Sequence, residues 1–325
     1  MVMARFEVRP ADIRSAALSA SGFSPIFSWI GETAVAFSNG VTKASGPSPH
    51  PDYAAFAFAL DVPSVVSRST NELWHWSATS INGHELPSSV YIATNGPSVA
   101  YSILDEPVLP WTDSSITNQN VWISVLDFAM RTNACLGATG KKTAFAGLTQ
   151  FLFSDHRLVY DVIEGRSAYI LWRARENISF HLGSYMKRSR GSVVNCYDQA
   201  CSLTLLGRCF GIEAEPFFME PFGYIQTTTL VGGIPSNNPF FGDVVEYDPR
   251  PVCPINEPQR SGLANHMFTQ FDNRIFDSCA GPVVGQWSLT EYMTNVIDKV
   301  TTNTLYKTGV ETNAVPYSGI KEAIE

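Results

Sequence analysis

Long basic runs are missing from this sequence. The densest basic cluster is MKRSR at 186–190, and the formal net charge over 325 residues is −8. A chain that tracks phosphates needs a basic stripe or patch, so no nucleic-acid partner is expected, and no pull toward an anionic membrane surface. Apolar runs near the ~20 residues of a membrane span are missing too. At the N-terminus, Arg5, Glu7, Arg9, Asp12 and Arg14 occupy the stretch where a signal peptide would need an apolar core. No membrane association is expected, and a cytoplasmic location is. There are six cysteines and no CxxC pair, so the thiols are expected to be reduced. The sequence NIS at 177–179 is then a chance match to a glycosylation site.

Other absences narrow the chemistry. No His/Cys/Asp spacing suggests a zinc site, and no paired carboxylates suggest glycosidase work. The run GATGKKT at 137–143 falls short of a phosphate loop. That pattern needs Gly where Cys135 stands and Ser or Thr where Lys142 stands. No cofactor and no metal is expected.

What is present can build a core. Apolar residues make up 45% of the chain and charged residues 16%, enough for a sizeable core, and 325 residues suit two domains or one large one. The first part, 1–115, is rich in short β-type runs such as ETAVAFS, YAAFAFALDV and SSVYIAT, with turns such as SNG, NGH and NGP between them. It reads as an antiparallel, sandwich-like β-domain. A Pro- and Ser/Thr/Asn-rich linker follows at 105–120. The second part, 116–325, mixes elements. Helix spacing appears at Val121, Val125, Phe128 and Ala129, and again at Phe145, Leu148 and Leu152.

One segment carries chemistry: RGSVVNCYDQACSLTLLG at 190–207. Asn195 is a preferred N-cap and Asp198 stands three residues later, as in a capping box. Cys196 is then the first helical residue. Ala200, Leu203, Gly207 and Phe210 form one stripe, and Leu205, Leu206 and Cys209 fill most of the rest. The helix should therefore be buried on most sides, ending near Gly211. A buried inert thiol is the commoner fate of a cysteine. At a helix N-terminus, however, unpaired N–H groups favour an anion, and a thiol ionises more readily.

A nucleophile needs a base and a group to orient it. Among six histidines, His266 stands out, because NHMFTQFDNRIFDSC at 265–279 reads as a hairpin turning on Asp272 and Asn273. Phe271 then faces Arg274, and His266 and Asp277 become diagonal neighbours on one face, ~7–8 Å apart at the backbone. A one-residue slip would separate them.

In the order Cys, His, Asp, residues 121–285 resemble the transglutaminase-like superfamily of papain-like cysteine enzymes. The matching pieces are LVYD…G.SAY at 158–169, GSVVNCYDQACSLTLLGRCFGIEAE at 191–215 and the His–Asp hairpin. The family's usual HAW is NHM here. The resemblance implies an α+β catalytic domain whose nucleophile opens the core helix, with the triad Cys196, His266 and Asp277. It implies acyl transfer from an amide or peptide bond through a thioester. The substrate would be a peptide, a protein or a small amide.

Three functions stay open at this point. Hydrolysis by a peptidase or amidase is favoured, because water is the default acceptor. A biosynthetic acyltransferase or cyclase would need an enclosed apolar pocket, with Phe217, Phe218 and Phe240 as candidate lining. A non-catalytic interaction protein would turn His266 away from Cys196. The Cys196 N–H is the natural first oxyanion donor. For the second, Gln199 lies deep in the helix, and Trp172 and Tyr185 are both possible. The loop-rich stretch 226–260 is expected to be a wall or lid, or only partly ordered.

Overall fold

The computed structural model describes residues 64–113, 121–131, 135–174 and 177–301, together with strands at 2–4, 15–23, 28–38, 41–43, 54–56, 59–60 and 315–316. The chain divides into two compact units, Met1–Ser102 and Ile103–Glu325. This division falls just ahead of the stretch that reads as a linker.

The first unit is antiparallel β-structure. Strands β1 (Val2–Ala4) and β5 (Ala54–Phe56) pair as a ribbon. A six-stranded sheet holds β2 (Ser15–Phe23), β3 (Ser28–Ser38), β4 (Val41–Lys43), β6 (Ala59–Leu60), β7 (Ser67–Ile81) and β8 (His84–Ser102). Its order is β4-β3-β2-β7-β8, with β6 also on β3. The long β7–β8 ribbon turns on Asn82–Gly83, and Ile81 faces His84. Asn-Gly is the dipeptide that favours a two-residue hairpin turn.

The second unit is α+β. Helices α1 (Ile123–Arg131) and α2 (Lys141–Gln150) come first, and a π-helical turn at Phe151–Asp155 extends α2. Strand β9 (Val159–Tyr160) precedes the β10 (Ile170–Ala174) and β11 (Asn177–Phe180) ribbon and helix α3 (Leu182–Lys187). Strand β12 (Val193–Val194) leads into α4 (Cys196–Arg208). Then follow β13 (Glu215–Met219), the hairpin β14 (Thr228–Leu230) and β15 (Ile234–Ser236), β16 (His266–Phe271), β17 (Arg274–Asp277), β18 (Val283–Val284), α5 (Leu289–Val296) and β19 (Val315–Pro316). Five strands form one antiparallel sheet in the order β18-β17-β16-β13-β19.

Helix α4 is the centre of this unit. Leu203, Leu205 and Leu206 are fully buried, each contributing roughly 1.5–3 kcal/mol of apolar transfer. Its C-terminal end closes as a Schellman turn: the Ile212 N–H reaches Gly207 O and the Gly211 N–H reaches Arg208 O, both at 3.2 Å. Gly211 sits at φ 75°, and a Cβ there would lie 2.5 Å from Asp105 Cβ. Against the sheet, Thr269 and Ser278 donate side-chain hydrogen bonds to the Ala200 and Gln199 carbonyls, both at 3.4 Å.

The stretch 226–260 is neither bare nor loose. Besides the β14–β15 hairpin, buried amides staple it. Asn237 exchanges two bonds with Cys253 (2.8 and 2.9 Å), and Asn238 Nδ2 reaches the Asp248 and Arg250 carbonyls at 2.7 and 2.8 Å. Arg260, fully buried, donates to Asn237 O at 2.8 Å and to Asp298 at 2.7 Å. Asparagine side chains substitute here for the regular ladder that the composition lacks.

Candidate active site

The local sequence sets Cys196 in place. Asn195 is the N-cap, and its Oδ1 accepts the N–H groups of Tyr197 (3.0 Å) and Asp198 (3.2 Å). Asp198 returns the capping box by accepting the Asn195 N–H at 3.3 Å. The Cys196 N–H makes no hydrogen bond among the described residues. It is one of the orphan donors at a helix start.

A loop wraps this helix end. Asp161 accepts the N–H groups of Ile163, Glu164 and Arg166. Gly165 O takes Asn195 Nδ2 at 2.8 Å. Ser167 Oγ and the Ala168 and Tyr169 amides donate to Asp198 at 2.6, 2.9 and 3.0 Å. Burial nevertheless pushes the Asp198 carboxyl up to about 6, because desolvation outweighs its four donors. Gly165 has φ 62°, and a Cβ there would sit 2.7 Å from the Phe240 ring. Only glycine gives both that backbone and that approach.

The hairpin brings the other two residues. It turns on Asp272 (φ 51°) and Asn273 (φ 56°), and Phe271 faces Arg274. His266, Phe268 and Asp277 share one face, and His266 Nε2 donates to Asp277 Oδ2 at 2.8 Å. Both side chains are about 1% exposed. Asp277 Oδ1 accepts the Cys279 and Ala280 amides at 2.8 and 3.0 Å, and Oδ2 also accepts the Tyr292 hydroxyl at 2.7 Å.

With Nε2 engaged, Nδ1 is the ring nitrogen left for Cys196. It makes no hydrogen bond of full geometry among the described residues. Even so, the thiol is near enough to act on the imidazole both as a hydrogen-bond partner and as a charge. Loose contacts of this kind are usual before substrate binds. Burial is the largest influence on His266 and disfavours the imidazolium. The charge and hydrogen bond of Asp277, with those of Cys196, overcome it and raise the ring to about 10. The three residues therefore stand together in the second unit.

The oxyanion candidates separate clearly. Gln199 is occupied, with Nε2 on Leu152 O and Oε1 taking the Tyr185 hydroxyl at 2.6 Å. That bond also engages Tyr185. The Trp172 side chain lies outside the described residues. Sequence reasoning missed Tyr160. It lies beside Val194 in the parallel β9–β12 pair, two residues before Cys196. Its ring is buried. Burial raises this phenol well above its usual range, followed by the charges of Cys279 and Cys196. The available signal was the two β-type runs LVY and SVV, which match a parallel pair flanking the nucleophile.

Phe217 and Phe218 are adjacent on β13 and face opposite ways. Neighbouring residues on a strand point to opposite faces. Phe217 stacks on Phe268 (centroids 6.2 Å) and Phe218 on Tyr197 (6.0 Å), while Phe240 packs near Tyr160 (6.4 Å). The Tyr197 hydroxyl donates to Asn265 Oδ1 at 2.7 Å. The residue after Cys196 is thereby tied to the residue before His266. No family model matches the chain, and no curated protein matches it. Among the described residues, no helix is long and apolar enough to cross a membrane.

Proposed function

We propose that the second unit is a transglutaminase-like catalytic domain, and that this chain is a cysteine-dependent acyl-transfer enzyme acting on amide or peptide bonds. The observation that carries the reading is the buried Asp277–His266 pair, whose ring is acted on by the thiol that opens a buried helix. Six unpaired thiols support a reducing, cytoplasmic setting.

The chemistry follows from the atoms. Cys196 gives its proton to His266 Nδ1, and its sulfur attacks the amide carbon. The carbonyl oxygen becomes an oxyanion held by the Cys196 N–H, with the Tyr160 hydroxyl as second donor. His266 protonates the leaving nitrogen, the C–N bond breaks and a thioester remains. Water then attacks the thioester and gives its proton to His266. The acid product leaves, and the proton returns to sulfur. Asp277 keeps the ring oriented and its charge balanced throughout. Hydrolysis is preferred over transfer to an amine or cyclisation, because water is the default acceptor and Phe217 and Phe218, two of the residues that would dry the site, point to opposite faces of their strand.

The test is an activated ester such as p-nitrophenyl acetate, read by peptide mass spectrometry. The expected product is an acyl adduct on the Cys196 peptide that hydroxylamine removes and Cys196→Ala lacks. Adducts spread over other residues with Cys196 unmodified would contradict the reading.

A further inference from the structure

Asp277 Oδ2 has two donors, and a three-residue centre accounts for only one. Tyr292 lies in α5, which is held by its own capping box: the Ser288 side chain meets the Glu291 N–H, and the Glu291 carboxylate meets the Ser288 N–H. Its ring is fully buried and packs on Phe268, centroids 4.7 Å apart. Its hydroxyl donates to the same oxygen that takes the His266 Nε2–H.

The carboxylate does not depend on Tyr292 for its place. Two backbone amides, of Cys279 and Ala280, already fix Oδ1 and the plane of the group. The distinct effect of Tyr292 is to share Oδ2. An oxygen that accepts from two donors offers less charge to each. Burial keeps the phenol neutral, so it stays a donor. The ionisable groups acting on His266 are Asp277 from β17 and Cys196 from α4, with the rings of Phe222 and Phe268 beside it. Those acting on Tyr292 are Asp277, Cys279 and Cys196.

We propose that Tyr292 is a positioning residue of the Cys196–His266–Asp277 centre, moderating the basicity of His266 through Asp277 Oδ2. The proposal rests on the catalytic reading of those three residues. A ring held too firmly as imidazolium returns its proton slowly to a leaving amine. By taking part of the charge on Oδ2, Tyr292 lets His266 both accept and release a proton.

The experiment is an NMR titration of His266 in the full-length chain, in three forms. These are the parent protein, Tyr292→Phe, and the protein with fluorotyrosine at 292, fluorine ortho to the hydroxyl. Losing the hydroxyl moves the His266 midpoint up by on the order of one pH unit. The more acidic fluorophenol is a stronger donor and moves it down. A tyrosine with a merely structural role gives no such opposed pair of shifts. Identical midpoints in all three forms, or shifts of the same sign in both variants, would overturn the proposal. If Tyr292→Phe does not fold, the fluorinated protein differs by one atom and still gives the sign. Alkylation of Cys196 is read in parallel. A Cys196 no faster than the other thiols ends the catalytic reading and this proposal with it. A fast Cys196 with unmoved midpoints ends only the role of Tyr292.

Discussion

A buried imidazole gives up its charge unless a partner holds it. His266 is fully buried, and Asp277 with Cys196 still raises it to about 10. The sign of one variant follows directly. In Asp277→Asn the raising charge is gone while the burial that lowers the ring remains. The His266 NMR midpoint should then fall from near 10 to the ordinary value near 6.5 or below it. A midpoint that stays high would mean Asp277 is not the holding charge. Tyr160 is the second residue under test. In Tyr160→Phe the thiol and its base are untouched, but the oxyanion loses a donor. We predict a loss in kcat of about 10²-fold or more with KM little changed. A rise in KM alone would make Tyr160 a binding residue.

At the scale of elements, the proposed nucleophile Cys196 depends on how α4 begins. Asn195→Ala removes the acceptor of the Tyr197 and Asp198 amides and the donor to Gly165 O. It should cost ~1–2 kcal/mol of stability in urea denaturation and slow Cys196 alkylation, because the loop and the helix start come apart. An unchanged alkylation rate would show that the cap is structural only. This helix start was legible in the sequence, because a capping box is a local pattern of four residues. The hairpin was legible too: Asp272 and Asn273 accept positive φ, and a two-residue turn sets the register of everything before and after it. The partners set by long connections were not legible. Tyr292 meets Asp277 across 278–288, a path of bends, one bridge and the two-residue strand β18, too short to show a period. Tyr160 reaches the nucleophile through a parallel pair of two residues per strand. The anchoring of 226–260 by Asn237, Asn238 and Arg260 also escaped, since asparagines in a Pro-rich stretch read as loop residues wherever their side chains point.

Across the whole molecule, the proposed triad, its cap and its wrapping loop all lie within Ile103–Glu325. A chain cut to 103–325 should therefore keep a fast-alkylating Cys196; loss of that reactivity in a folded fragment would show that the first unit is required. Acid stability is a second property at this scale. Burial first of all lowers the His156 ring from near 6.5 to about 4, and its Nε2 donates to Tyr185 O at 3.0 Å. Between those values the unfolded chain binds a proton that the fold does not. The contribution is full above about 6.5 and is lost as pH falls toward 4, amounting to about 3 kcal/mol. His156→Phe should flatten that part of the pH–stability curve, as read by denaturant midpoints; an unchanged slope would assign the loss to other groups. The central claim is the activated thiol, and site-resolved alkylation tests it most directly. Native protein is treated with limiting iodoacetamide at pH 6 and pH 8, all six cysteines are quantified by peptide mass spectrometry, and His266→Ala runs beside it. The account predicts that Cys196 labels far ahead of the other five at pH 6 and loses that lead in His266→Ala. Labelling of Cys196 no faster than Cys253, which is similarly buried, at both pH values would contradict it.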